Sequence, residues 1–204
     1  MPCNHRFQNE LSAHGYPLNY LFIGTFNPEW ENPNGNNANW FYTRHSNSLW
    51  HILPMVFAGD DLFDFRQDTN FLKGWCSDHG IGFTDLISCV LNADEENPQH
   101  FADIIGFQDQ ILENYNLAST NLEALIIRNA ETLRYGGVYL TRYSHTLQQN
   151  GQIIGFWNAV QDLCMAMNIP VNCLVTPSNG YRLQIAEKVE MWGGRIWEAL
   201  LGLE

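Results

Sequence analysis

Tyr20-Leu21-Phe22-Ile23-Gly24-Thr25-Phe26-Asn27-Pro28 is the stretch on which the fold turns. Four apolar residues run into Gly24, and a short polar turn closes on Asn27 and Pro28. An apolar run of this length without alternation reads as a buried strand, the kind a parallel sheet contains. Proline restricts the backbone of the residue before it. The turn therefore either ends the strand in an ordinary way or presents the Asn27 amide at the rim of a site.

Working outward, three further runs read as strands: "GFTDLI" (82–87), "LEALIIR" (122–128) and "VNCLVT" (171–176). Helices are predicted between them. "NSLWHIL" (47–53) follows a candidate Ser46 cap and meets Pro54, which should kink or stop it. "DTNFLKGWCSDHG" has Asp68 or Thr69 as cap and Gly80 as terminator. "DIIGFQDQILENY" and "GFWNAVQDLCMAMN" place apolar residues at three-to-four spacing. "YRLQIAEKVEMWGGRIWEALLGL" closes the chain, with a break expected at Gly193-Gly194. The acidic "NADEENPQH" (92–100) reads as a solvated loop. Strand–helix alternation predicts an α/β fold whose parallel sheet is covered on both faces. No linker, repeat or low-complexity segment interrupts it, so residues 1–204 are expected to form a single domain. Ligands of open α/β sheets bind beyond the carboxyl ends of the strands. That directs attention to the residues after 24, 87, 128 and 175.

The 204 residues suffice for one substantial domain, and with 45% hydrophobic and 16% charged residues a well-filled core is expected. A net charge of −12 argues against nonspecific polyanion binding, so nucleic-acid recognition would need a local basic patch. Cys3, Cys76, Cys89, Cys164 and Cys173 never form a C-x-x-C pair, which disfavours zinc and iron–sulfur sites and fits reduced thiols. "MPCNHRFQNE" has no apolar signal core and no run approaches a membrane span, so a cytoplasmic protein without membrane contact is expected.

The segments following the strands, "GTFNP", Asn129 and "TPSNGYR" (176–182), together with "NWFYTRHSNSLW" (39–50), hold neutral hydrogen-bonding groups, aromatics and few carboxylates. That mixture suits a flat, uncharged, hydrogen-bonding ligand such as a nucleobase. It suits metal or phosphoryl chemistry poorly, since neither clustered carboxylates nor a Gly-rich lysine loop is present.

In order along residues 20–182, "LFIGTFNP", "FYTRHSNSLW", "HGIGFTDLISC" and "VTPSNGYR" resemble the motifs of the uracil-DNA glycosylase superfamily, most of all its mismatch-specific uracil and hypoxanthine-DNA glycosylase branches. The resemblance implies a three-layer α/β/α sandwich around a central, mostly parallel four-stranded sheet. It also implies a monomeric, cofactor-free, metal-free DNA glycosylase of base excision repair, which hydrolyses the N-glycosidic bond of a flipped uracil or hypoxanthine in DNA. Asn27 and Asn47 correspond to catalytic positions, and Phe26, Tyr42 and Asn129 to base-binding ones. Arg44, Ser178, Asn179, Tyr181 and Arg182 fall where DNA is contacted.

Each residue also has a plainer reading. Asn27 could bond its own turn, Asn47 could cap the helix after it, and Asn129 could cap "NAETL". Tyr42 could be core like Phe41, and the Ser178 segment an ordinary turn. Arg44, Arg128 and Arg182, with Arg134 and Arg142 nearby, could form a positive rim or be scattered surface charges. His45, His51, His79 and His145 have no spacing that marks a ligand or a nucleophile's helper. Lys73 and Lys188 lie outside the motifs, so no Schiff-base step is expected. The competing class is a non-catalytic protein of the same fold that binds a nucleobase, nucleotide or nucleic acid; hydrolysis of free nucleosides is a third.

Overall fold

The computed structural model describes residues 1–179 and 183–201. In chain order the elements are β1 (Cys3–Asn4), β2 (Tyr20–Gly24), α1 (Leu49–Ala58), α2 (Thr69–Asp78), β3 (Ile81–Asp85), β4 (Ile87–Val90), α3 (Pro98–Ile105), α4 (Asp109–Leu112), β5 (Leu117–Ser119), α5 (Leu122–Arg128), α6 (Ala130–Leu133), β6 (Gly137–Leu140), α7 (Gln152–Ala166), β7 (Val171–Cys173) and α8 (Ile185–Leu201). β2 lies inside a four-stranded, all-parallel sheet of order β3-β2-β6-β7. A small antiparallel sheet, β1-β4-β5, stands beside it.

Successive residues of a strand face opposite ways, and here they enter two separate cores. Leu21, Ile23, Val138 and Leu140 pack with residues of α5, α6 and α7. Phe22, Phe83 and Tyr139 pack with residues of α1, α2 and α8. Helices thus cover both faces, consistent with a three-layer α/β/α sandwich.

The expected strand at 122–128 is the helix α5. Its apolar side chains Leu122, Leu125 and Ile126 are buried at helical spacing while Ile127 is exposed, and Asn121 caps it by accepting from the Ala124 N–H at 3.3 Å. The strand that occupies its place in the sheet is β6, "GVYL", buried throughout. Gly136, just before it, crosses so close to β2 that a Cβ would collide with the Asn19 carbonyl. The 82–87 run splits: β3 ends at Asp85, and the chain leaves the parallel sheet to enter β4.

Pro54 does not end α1. It cannot donate to the Trp50 carbonyl, and the Leu62 N–H does so instead at 3.1 Å. Nor does α8 break at Gly193-Gly194, because Lys188, Trp192 and Ile196 form one buried stripe through the glycines. Asp68 caps α2 as expected, accepting from Phe71 N at 3.0 Å, and Gly80 follows with φ +63°. The 103–115 helix is two short ones, α3 and α4, separated by a turn at Gly106-Phe107. Pro98 to His100, read as loop, opens α3 behind an Asn97 cap. Among the described residues no helix is long and apolar enough to cross a membrane.

Candidate active site

A parallel sheet delivers all its carboxyl ends to one edge, and the chain segments beyond them enclose a cavity of about 400 Å³ there. Thr25, Phe26 and Asn27 enter from the end of β2, Asp85 from β3, and Thr141 and Arg142 from β6. Thr176, Pro177 and Ser178 follow β7; Tyr42, Arg44 and Asn47 come from the loop before α1, and Phe107 from the α3–α4 turn.

At the floor lies a chain of four side chains. Phe7 N–H donates to His5 Nδ1 at 3.0 Å, so the ring proton sits on Nε2, which donates to Asp85 Oδ2 at 2.6 Å. The same oxygen accepts from Asn27 Nδ2 at 2.7 Å. Asn27 Oδ1 in turn accepts from Arg44 Nη2 at 2.7 Å. His5 and Asp85 are each 1% exposed. A carboxylate taken this far from water persists only with donors around it. Gly24 makes room: a Cβ there would collide with Asp85 Oδ1 and stand 2.6 Å from Tyr42 Oη.

Arg44 does not reach outward. Its guanidinium lies over the Phe107 ring, Cζ 3.4 Å from the centroid. Burial draws its ionisation down to about 10, opposed by the Asp85 charge, so it remains a cation at neutral pH. Tyr42 and Phe107 adopt φ of +60° and +55°, in the left-handed region that large side chains avoid. Holding a residue there costs on the order of 1–3 kcal/mol, and such strain gathers at functional sites. Tyr42 Oη bonds Thr141 Oγ1 at 2.9 Å, and Thr141 Oγ1 donates onward to the Ile23 carbonyl at 3.1 Å. Burial, and then the nearby Asp85 charge, push the Tyr42 hydroxyl well up, so it stays protonated.

The opposite wall is stitched from two loops. Asn47 bridges to Ser178, Ser48 N–H donates to the Pro177 carbonyl at 2.8 Å, and Asn179 N–H to the Ser46 carbonyl at 2.9 Å. Helix α8 braces this wall from behind, with Lys188 Nζ donating to the Ser178 carbonyl at 2.8 Å and Trp192 Nε1 to the Val175 carbonyl at 2.8 Å. Arg142 is paired with Asp109, which also accepts from Thr25 Oγ1 at 3.1 Å.

Phe26, Asn27, Tyr42, Arg44, Asn47 and Ser178, named from the sequence, all line this cavity. Phe26 does so with a ring only 9% exposed and edge-on to His5, as part of the core as well as the wall. Asn47 Oδ1 also accepts from Leu49 N–H at 2.9 Å at the start of α1, so the helix-capping reading of that residue holds and its place on the cavity wall stands beside it. Asn129 is a correction. It joins α5 to α6 away from the cavity, with Oδ1 accepting from Leu18 N at 3.2 Å and Nδ2 donating to Leu125 O at 2.9 Å, so its amide is spent on the backbone. Asn179 bonds Ser48 and the His45 carbonyl and works as a loop staple. Tyr181 and Arg182 lie outside the described residues. Of the arginines of the expected rim, Arg44 and Arg142 line the cavity, whereas Arg134 donates to the Met167 carbonyl and Arg128 to the Ser12 carbonyl.

No family model, curated protein or solved structure matches this chain. The site must therefore be read from its own chemistry. Sequence reasoning missed Asp85, His5, Phe107 and Thr141. Asp85 carried a signal, since a charge inside an otherwise apolar strand has to be paired. His5 carried none: it lies 80 positions from Asp85, before the first motif. Among the described residues no group of three or more His, Cys, Asp or Glu is arranged to hold a metal ion.

Proposed function

We propose that this protein is a monofunctional DNA glycosylase, hydrolysing the N-glycosidic bond of a flipped deaminated base in the manner of the uracil-DNA glycosylase superfamily. One observation carries the reading: Asn27, Tyr42, Asn47 and Ser178, from separate stretches of chain, line a single cavity at the carboxyl edge of the parallel sheet. Its volume lies in the range of small-ligand sites.

Scission of the bond leaves positive charge on the sugar and negative charge on the departing base. The buried Asp85 carboxylate supplies a fixed negative potential for the sugar cation. By holding the Asn27 NH₂ it turns the amide oxygen toward Arg44 and the cavity. Arg44 is the fixed positive charge, suited to the base as it leaves with the bonding electron pair. Water adds to C1′ of the sugar cation and releases its proton to solvent, and the freed base takes one up. Asn27 orients that water; an amide is not a base strong enough to deprotonate it.

The test is release of free base from single-lesion oligonucleotides carrying uracil or hypoxanthine. Asn27→Ala and Asn47→Ala should each slow release by about 10²-fold. No release by the wild type, or no effect of either substitution, ends the enzymatic reading. One feature favours the second reading, a binder without turnover: Arg44 already donates to the Asn27 oxygen and leaves it a single lone pair with which to orient a reacting water. A glycosylase should prefer DNA bearing an abasic-site analogue to a free nucleoside, and that preference should weaken with salt. A small-ligand binder shows the reverse order.

A further inference from the structure

Arg44 lines the cavity, and its guanidinium makes one hydrogen bond among the described residues, from Nη2 to the Asn27 oxygen at 2.7 Å. The Phe107 face beneath it fixes its position. A guanidinium held in place with donors left over is where a ligand's acceptor belongs, because an unpaired donor costs stability.

We propose that Arg44 selects the base by its exocyclic oxygen, an N–H of its guanidinium donating to a ring carbonyl. This rests on the glycosylase reading of the same cavity and narrows its substrate class. A guanidinium has five N–H donors and no acceptor. It can meet the carbonyl of uracil or hypoxanthine, but against the amino group of cytosine or adenine it sets N–H facing N–H. Deamination converts the second kind of base into the first. A donor-only group at this point therefore distinguishes damaged from undamaged bases without reading the opposite strand. Arg44, expected on the DNA-contacting rim, becomes the group that sets specificity.

The experiment pairs a protein change with a ligand change. Single-turnover base release is measured on one oligonucleotide carrying either hypoxanthine or unsubstituted purine, which lacks the carbonyl, with wild type, Arg44→Met and Arg44→Gln. Intrinsic differences in leaving ability cancel in the cycle. Arg44→Met should slow release of both bases, since both lose the guanidinium charge, but that of hypoxanthine about 10- to 100-fold more than that of purine. Arg44→Gln, whose amide offers either a donor or an acceptor, should erode the discrimination between hypoxanthine and adenine. Thermal unfolding of each variant reports whether it folds, and either variant alone suffices. An equal loss on both bases overturns the proposal, including the case where the salt slope also falls by about one, which assigns Arg44 to a phosphate. If the wild type releases neither base, the hydrolytic reading has failed separately. The same cycle is then run on equilibrium affinity by fluorescence anisotropy. Coupling there upholds carbonyl reading by Arg44; its absence, or absence of binding, overturns it.

Discussion

On one face of the central sheet Leu21, Ile23, Val138 and Leu140 meet mainly aliphatic side chains of α5, α6 and α7, with Trp157 among them; on the other, Phe22 and Phe83 meet the rings of Trp50 and Phe57 in α1 and of Trp192 in α8. Aliphatic packing is nondirectional: it rewards volume and shape and says little about angle. Rings have preferred angles and, in tyrosine and tryptophan, a polar handle. Phe22 stacks with Tyr139 and Trp192 at centroid distances of 5.5 and 5.7 Å, and Phe83 touches Phe41 and Tyr42 at 6.1 and 5.6 Å. The aromatic face thus runs into the cavity wall and fixes its orientation, while the aliphatic face mainly supplies cohesion.

Three substitutions break or sharpen that contrast. The largest effect is expected on the aliphatic side. Leu125→Ala empties a fully buried site in α5 and should cost about 2–5 kcal/mol in denaturant unfolding, with base release per folded molecule unchanged. A slower folded enzyme would dissolve the division between cohesion and orientation. Next comes Asp85→Asn at the cavity floor, which keeps one oxygen for His5 Nε2 and Asn27 Nδ2 but removes the negative charge. It should slow base release by about 10²-fold, and an undiminished rate would remove Asp85 from the site's chemistry.

The smallest effect is Tyr139→Phe, on the aromatic face. The lost bond to the Gly136 carbonyl (2.8 Å) should cost about 1 kcal/mol at neutral pH. Its sharper signature is alkaline. Burial raises the Tyr139 ionisation above its ordinary value of 10.0, so the unfolded chain loses that proton first. The hydroxyl's contribution is whole below pH 10.0 and is lost as pH climbs toward the raised folded value. Equilibrium unfolding above that pH should therefore decline less steeply in Tyr139→Phe than in wild type; parallel declines would show Tyr139 is not among the groups responsible.

Much of the scaffold was legible in the sequence because its signals are local. The Tyr20–Gly24 run, its Asn27-Pro28 turn and the Asp68 cap each depend on residues within a few positions. What misled was composition read without spacing. Adjacent Ile126 and Ile127 suggested a strand, yet Leu122, Leu125 and Ile126 already carried a helical period. β6 escaped because four residues opened by Gly136-Gly137 carry too little pattern. That one exchange also misplaced the site, since it led to Asn129 where the sheet presents Thr141. The buried quartet at the floor was beyond local reading, because pairing His5 with Asp85 depends on where β1 and β3 come to rest.

Lys188 and Trp192 stand one helical turn apart on α8, and each hands a proton donor to a different carbonyl of the strip after β7. The angular setting of the last helix is therefore recorded in the cavity's far wall. Inserting a single residue between Ile185 and Lys188 turns both donors by about 100° around the axis, and the strip carrying Ser178 comes off its hooks with no cavity residue altered.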